Sequence, residues 1–118
     1  MNEIGKAMAK CYTSKETTEV GEYQFKYMNG EDYRRIKIYK DGEFIATTAE
    51  VIVADTILHP EKLERYCVEK FGWVVLKTLA KNSELEGTDL YEYLSNKCVE
   101  EGISLDVLDK HSEDILSK

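Results

Sequence analysis

Apolar residues recur with the period of a helix near the N-terminus and again in the second half of the chain. Near the N-terminus they stand at positions i, i+3, i+4 and i+7, which predicts one buried face of a short helix. The polar residues 12–21 then predict a connector. The four apolar residues of this helix are Ile4, Ala7, Met8 and Cys11.

A second, longer apolar stripe follows Pro60 and predicts a helix to about Lys81. Proline suits the first helical position, because the N–H that it lacks has no partner there, and His59 stands just before it. Gly72 leaves an alternative open, in which the helix ends at this glycine and residues 73–79 form a fourth strand. The stripe consists of Leu63, Cys67, Phe71, Val74 and Val75.

Between these helices, polar and apolar residues alternate with the period of a β-strand, which predicts a three-stranded antiparallel meander. Turns are signalled by Asn29-Gly30 and Asp41-Gly42, and the third strand runs from Glu43 to about Val53. A two-residue turn at Asp41-Gly42 predicts four cross-strand pairs: Lys40 with Glu43, Tyr39 with Phe44, Ile38 with Ile45, and Ile36 with Thr47. The core face then holds Tyr23, Phe25, Tyr27, Ile36, Ile38 and Ile45, and the opposite face holds Lys26, Tyr33, Arg35, Lys37, Tyr39 and Phe44.

Capping residues predict two further helices in the last third of the chain. Thr88 suits an N-cap and Gly102 suits the C′ position that ends the first of them, while Ser104 caps a last helix that runs towards Ile115. The chain is thus expected to form one α+β domain, residues 1–118. It has a short N-terminal helix, the three-stranded sheet, a long helix packed on the sheet, and two shorter acidic C-terminal helices. The inward positions of these two helices are Leu90, Tyr91, Leu94, Cys98, Leu105 and Leu108.

The net charge of −7 is confined to the last third of the chain. Residues 1–81 carry 13 acidic and 13 basic side chains, whereas residues 82–118 carry ten acidic and three basic ones. The domain therefore divides into a charge-balanced core, residues 1–81, and an acidic helical extension, residues 82–118. Such an asymmetry bears on partners and solubility rather than on the fold.

The composition is that of a soluble globular protein, with 42% hydrophobic and 33% charged residues. No stretch approaches the roughly 20 apolar residues that span a bilayer, and the first residues lack the basic and apolar regions of a signal peptide. We therefore expect a cytoplasmic protein. A reducing compartment fits Cys11, Cys67 and Cys98, which are widely spaced on apolar stripes and are expected to be buried thiols without a disulfide or a metal.

None of the short motifs that identify catalytic, cofactor or metal sites occurs in the sequence. There is no glycine-rich phosphate loop and no nucleophile elbow. Neither His59 nor His111 has further ligands at the spacing of a zinc site, and His111 is interpreted as a solvated residue of the last helix. Asp55 and His59 form only an isolated pair. We expect no catalytic residue, no cofactor and no metal, so the chain is interpreted as a non-enzyme.

Two surfaces are candidates for binding. Acidic residues recur at helical spacing on the outer side of the C-terminal helices with almost no interleaved lysine or arginine, although like charges at this spacing repel. Basic and aromatic residues share the second sheet face, in the manner of surfaces that stack bases and neutralise phosphates. That face is alternatively a half-exposed surface of paired aromatics, or is covered by the acidic third within the chain or across a dimer. The acidic candidates are Asp89, Glu92, Glu100, Asp106, Asp109 and Glu113.

The order helix, three antiparallel strands, helix over about residues 2–81 resembles the double-stranded-RNA-binding domain. That family reads RNA partly through a lysine-rich start of its second helix, whereas here residues 60–65 are of mixed sign, which argues against this binding mode. The same order followed by acidic helices also resembles some small phage-encoded anti-CRISPR proteins. That resemblance implies an inhibitor that occupies the DNA-binding surface of a Cas nuclease by mimicking nucleic acid. No motif is diagnostic of either family.

The leading hypothesis is a non-enzymatic protein-interaction module, of the kind of a phage inhibitor. Its acidic helices would block a basic, nucleic-acid-binding surface of a partner protein, and it would bind neither nucleic acid nor membranes itself. The alternative is a nucleic-acid or nucleotide binder that uses the basic and aromatic sheet face. The third hypothesis is an enzyme with a dispersed active site. An electrophoretic shift with DNA and RNA separates the first two.

Overall fold

The computed structural model of the protein describes residues 2–29, 34–48 and 59–118. The chain forms two compact units, Met1–Lys70 and Phe71–Lys118. The first contains helix α1, four strands and the start of helix α2; the second contains the rest of α2 and three shorter helices. The elements are α1 (Asn2–Ser14), β1 (Thr18–Val20), β2 (Tyr23–Asn29), β3 (Arg34–Lys40), β4 (Glu43–Thr47), α2 (Pro60–Lys81), α3 (Gly87–Glu101), α4 (Leu105–Lys110) and α5 (Ser112–Leu116).

The predicted α+β class and the N-terminal helix are confirmed, but the antiparallel sheet has four strands in the order β1-β2-β3-β4. The additional strand, β1, lies within the segment that was predicted to be a connector. It pairs with β2 through a tight turn at Gly21, whose φ of 57° is one that glycine readily adopts. The hydroxyl of Thr18 donates to the carbonyl of Ala7 at 2.6 Å, which attaches β1 to α1.

The Asp41-Gly42 turn forms as predicted, and both residues have positive φ, at 50° and 83°. Opposite Lys40 and Tyr39 the predicted partners, Glu43 and Phe44, are present. Beyond them the predicted register is wrong, because a β-bulge inserts Ile45 as an extra residue of β4. Ile38 therefore pairs with Ala46 instead of Ile45, and Lys37 pairs with Thr47.

The bulge changes which residues of β4 face the core. Ile36 and Ile38 are fully buried as predicted, but Ile45 is half-buried and Ala46 and Thr48 take the inner positions. The buried Thr48 hydroxyl accepts from the N–H of Ile36 at 3.0 Å and shares a 2.8 Å hydrogen bond with the hydroxyl of Tyr12. A threonine is tolerated at this inner position because both of these polar groups pair with it.

Helix α1 packs on the inner face of the sheet. Met8, Cys11 and Tyr12 are fully buried, and the Cys11 thiol lies 3.5 Å from the carbonyl oxygen of Phe25. On the same helix, Gly5 lies against the first part of α2. A Cβ at Gly5 would stand 2.7 Å from Cγ2 of Val68 and 3.0 Å from the carbonyl oxygen of Glu64, so the two helices approach as closely as glycine permits.

Helix α2 is continuous through Gly72, which confirms the helical interpretation of residues 73–79 over the strand alternative. The glycine has a packing role in the second unit. A Cβ there would lie 2.9 Å from Cγ2 of Ile103 and 3.1 Å from Cγ1 of Val107, so its absence lets α2 contact the residues around the start of α4. At the start of α2, the N–H of Leu63 donates to the carbonyl of His59, so the helix begins at Pro60, directly after His59, as predicted.

The C-terminal helices differ from the prediction in their ends. Helix α3 begins at Gly87 with Glu86 as N-cap, so Thr88 is not the cap; Gly102 ends it in the left-handed region with φ 68° as predicted. Ser104 caps α4 by accepting from the N–H of Asp106. The predicted last helix is broken at His111 into α4 and α5. Leu105 is 46% exposed, in contrast to the prediction, because Val107, Leu108 and Ile115 supply the inner face.

Within the described ranges, no helix combines the length and the apolar character that crossing a membrane requires. The predicted extension of the third strand to Val53, together with Tyr33, Gly30 and Asp55, lies outside the described residues.

Candidate functional site

Five of the six basic and aromatic residues predicted to share one side of the sheet do so in the structure, and the sixth, Tyr33, lies outside the described residues. We call this surface the outer sheet face, and define it by Lys26 on β2, Arg35, Lys37 and Tyr39 on β3, and Phe44 on β4. Arg35, Lys37 and Tyr39 share a face because alternate residues of a strand point to the same side. Lys26 and Phe44 lie on that face as well, because they are the cross-strand partners of Lys37 and Tyr39.

Two aromatic rings and an ammonium group are in contact on the outer sheet face. The rings of Tyr39 and Phe44 meet edge to face, with centroids 5.7 Å apart and an interplanar angle of 69°. The ammonium of Lys26 lies 4.7 Å from the centroid of the Tyr39 ring, within cation–π distance. Phe44 is 55% exposed despite its size. A cation and an open aromatic ring are thus held side by side.

The lysines of the outer sheet face stand directly opposite one another. Lys26 and Lys37 are cross-strand partners, and like charges at directly opposed positions destabilise a sheet. Among the residues that the structure describes, neither ammonium is within ion-pair distance of a carboxylate. Lys26 and Lys37 therefore carry positive charge that the described part of the chain does not neutralise, and an anionic ligand would relieve the repulsion between them.

All six predicted acidic residues are exposed. We call them the acidic surface: Asp89, Glu92 and Glu100 on α3, Asp106 and Asp109 on α4, and Glu113 on α5. Glu113 lies on a different helix from Asp106 and Asp109, because the predicted last helix is interrupted at His111.

Two residues of the acidic surface have partners within their own unit. The Lys97 ammonium lies 3.0 Å from a carboxylate oxygen of Glu100, and this hydrogen bond raises the pKa of Lys97. The Tyr91 hydroxyl donates to Asp109 at 2.6 Å, and that hydrogen bond raises the pKa of Tyr91. Neither bond neutralises the surface as a whole, because lysine pairs with only one of the six carboxylates and tyrosine carries no charge at neutral pH.

A polar cluster around Trp73 was not anticipated from the sequence. The indole N–H of Trp73 donates to one oxygen of Asp114 at 2.8 Å, and the ammonium of Lys77 donates to the other at 2.6 Å. These two hydrogen bonds hold the pKa of the Asp114 carboxyl below its usual value. The imidazole of His111 stacks on the indole, so the interpretation of His111 as a solvated residue is wrong. No local spacing signals this cluster, because the partners of Trp73 are remote in sequence.

The three cysteines are buried thiols, as predicted. Burial raises the pKa of Cys11 to about 11, and it also raises the pKa values of Cys67 and Cys98. A thiol that resists ionisation is a poor nucleophile and a poor metal ligand. Within residues 2–29, 34–48 and 59–118, no group of three or more histidine, cysteine or acidic side chains is arranged to hold a metal ion.

Comparison of the chain with protein-family models, with curated proteins and with solved structures finds no match. The function therefore has to be argued from the two surfaces themselves.

Proposed function

We propose that this chain is a non-enzymatic nucleic-acid-binding protein and that the outer sheet face holds the nucleic acid. The observation that carries the proposal is the opposed pair Lys26–Lys37, which no carboxylate of the described residues neutralises, beside the exposed ring of Phe44. Ammonium groups neutralise phosphates, and an exposed ring stacks on bases. A surface that served only to cover the sheet would gain stability from an acid opposite a lysine.

The outer sheet face is the stronger candidate of the two surfaces because three of its members, Lys26, Tyr39 and Phe44, are in direct contact. The members of the acidic surface are instead distributed over three helices. The net charge of −7 opposes the approach of a nucleic acid, but residues 1–81, which include the outer sheet face, sum to zero. We therefore expect modest affinity at physiological salt, which increases steeply as salt is lowered.

The test is fluorescence anisotropy with labelled DNA and RNA oligonucleotides, single-stranded and double-stranded, over a series of salt concentrations. The double variant Lys26→Glu/Lys37→Glu should weaken binding. It should also reduce the slope of the logarithm of the association constant against the logarithm of the salt concentration by about 1.5, because two phosphate contacts are lost. The matched control is Lys6→Glu/Lys10→Glu. It makes the same charge change at exposed positions of α1, which packs on the inner face of the sheet. Equal losses in both variants would show a general charge effect and overturn the proposal.

A second candidate function rests on the exposure of all six residues of the acidic surface. In this proposal the chain is a protein-interaction module of the kind of a small phage-encoded inhibitor, resembling an anti-CRISPR protein. Its carboxylates would mimic phosphates and block a basic, nucleic-acid-binding surface of a partner protein. Exposed charges chiefly accelerate association and are screened by salt, so binding should weaken strongly between low and physiological ionic strength.

The second candidate is tested by reversing Asp89, Glu92 and Asp106 to lysine, because these three carboxylates are exposed and no described side chain binds them. Affinity purification from the native host would supply the partner. The triple variant should associate more slowly with it and should no longer compete with that partner's nucleic acid. An electrophoretic shift separates the two candidates, because in the second one the isolated chain binds neither DNA nor RNA. Unchanged association of the triple variant would overturn the second candidate.

A further inference from the structure

We infer that the nucleic acid held by the outer sheet face is single-stranded, and that an unpaired base stacks on Phe44. The inference rests on the nucleic-acid-binding function proposed above and specifies the class of ligand for that site. It depends on the exposure of Phe44, on the contact between Phe44 and Tyr39, and on the position of the lysines beside them.

Phe44 is a fixed stacking platform. It belongs to β4 directly after the tight Asp41-Gly42 turn, its backbone is paired with Tyr39, and the Tyr39 ring supports its ring edge to face. A supported ring loses little side-chain freedom when a base stacks on it, and low conformational cost favours binding. The exposed fraction of 55% shows that much of the ring remains open to a ligand.

The lysines place positive charge within reach of the backbone of a stacked nucleotide. Lys37 precedes Tyr39 by two residues on β3, so the two lie about 7 Å apart on the same side of the strand. Lys26 is opposite Lys37 and its ammonium lies over the Tyr39 ring. Charge and ring are therefore adjacent, as they are in grooves that combine backbone contacts with base stacking.

Stacking on a side chain selects single strands over duplexes. In a duplex both faces of each base are covered by neighbouring bases, and only base edges reach the grooves. A ring can stack on a base only where the base is unpaired and unstacked, as in single strands, loops and ends. A duplex could use the lysines of this face but not the ring of Phe44.

The experiment compares a 12-nucleotide single strand with the duplex of the same sequence, as DNA and as RNA, by fluorescence anisotropy with the full chain. We expect the single strand to bind at least tenfold more tightly. Phe44→Ala and Phe44→Leu should lose about 5- to 150-fold of single-strand affinity, because stacking contributes on this scale per base. Phe44→Trp should retain the affinity, and stacking on the new indole should change its fluorescence on binding.

Val99→Ala is the matched control, because Val99 is an exposed apolar residue of α3 (78% exposed) remote in sequence from the sheet. It should leave the affinity unchanged. Thermal unfolding of each variant separates loss of binding from loss of folding. Equal affinity for duplex and single strand, or an unchanged affinity of Phe44→Ala, would overturn the single-strand inference while the lysine-dependent function stands. Absence of binding to every oligonucleotide would overturn both.

Discussion

The imidazole of His111 lies flat on the indole of Trp73, with ring centroids 3.8 Å apart and planes inclined by 7°. His111 stands at the break between α4 and α5, and Trp73 lies on α2. The stack therefore joins the point where the predicted last helix is interrupted to the long helix of the same unit. Since Trp73 is the single tryptophan of the chain, tryptophan fluorescence reports on the surroundings of this one ring, which include the His111 stack and the hydrogen bond to Asp114.

We predict that His111→Ala shifts the tryptophan emission to longer wavelength, because the open indole face becomes hydrated. The variant should also lose about 0.5–1.5 kcal/mol of unfolding free energy, the range measured for aromatic pairs. His111→Phe, which can still stack, should restore most of the stability. His59→Ala is the control, because His59 is exposed and precedes α2. A spectrum of His111→Ala identical to the wild-type spectrum would contradict the stack.

Asp114 is predicted to make the stability of the C-terminal unit depend on pH. Its carboxyl has a lowered pKa because Lys77 and Trp73 donate to it. A lowered folded-state pKa contributes stability that is present above the unfolded pKa, about 3.9, and is lost as the pH falls through the folded value. The difference in thermal stability between the wild type and Asp114→Asn should therefore be complete at pH 6 and smaller at pH 3.

The magnitude of that difference should be under about 1 kcal/mol, because the ion pair is partly exposed and is screened by water. The Lys77 and Asp114 side chains are 31% and 42% exposed. Asp89→Asn serves as the control, because it makes the same chemical change at an exposed position of α3. A difference for Asp114→Asn that is as large at pH 3 as at pH 6 would show that the carboxylate charge does not contribute.

The bulge at Ile45 predicts different costs for two isoleucines that a regular hairpin would have paired. Ile38→Ala should cost about 2–5 kcal/mol, because the side chain is fully buried. Ile45→Ala should cost about 1 kcal/mol, because Ile45 is half-buried and Ala46 holds the inner position. Urea unfolding measures both values. Equal costs would favour the regular register over the bulged one.

Gly72→Ala is predicted to destabilise the protein, although alanine is the better helix former. Helix propensity alone would stabilise the variant by about 1 kcal/mol. The new Cβ would lie 2.9 Å from Cγ2 of Ile103, however, and overpacking of this kind costs about 1–3 kcal/mol. In a double-mutant cycle, Ile103→Ala should cost less in the Gly72→Ala background than in the wild type. A stabilised Gly72→Ala would show that the helices can move apart freely.

The cysteines are predicted to react slowly with a thiol reagent at pH 8. All three are fully buried, and burial keeps the pKa of Cys11 near 11, so little thiolate is present and access requires unfolding. Stopped-flow mixing of the native protein with a chromogenic disulfide should show no fast phase of reaction. After addition of denaturant, all three thiols of each chain should react. Rapid reaction of any cysteine in the native state would contradict its burial.

Those parts of the fold that depend on local chemistry could be predicted from the sequence. The Asp41-Gly42 turn, the Gly102 cap and the start of α2 at Pro60 each depend on residues that are adjacent in the chain. Strand β1 could not, because three residues of a polar edge strand show no alternation long enough to detect. The break at His111 was missed because the hydrophobic period continues across it.

In the candidate sites, too, features set by neighbouring residues could be predicted, whereas contacts between residues remote in sequence could not. Lys26, Lys37, Tyr39 and Phe44 were correctly placed on one face, since all four precede the bulge and follow from strand alternation and one turn. The outward position of the acidic residues followed from helical spacing, but the interruption of the last helix between Asp109 and Glu113 did not. The bond between Trp73 and Asp114 joins residues 41 positions apart, and no periodicity encodes such a pairing.

Ile45 is one extra residue in an otherwise regular hairpin, since it has no partner on β3. If it were removed, Phe44 and Ala46 would become neighbours in sequence and would still oppose Tyr39 and Ile38, with every side chain on its present side of the sheet. Loss of a residue elsewhere in the paired part of β3 would instead exchange the two sides of the strand beyond it. A variant of this protein that lacks Ile45 is therefore expected to keep both its core and its outer sheet face.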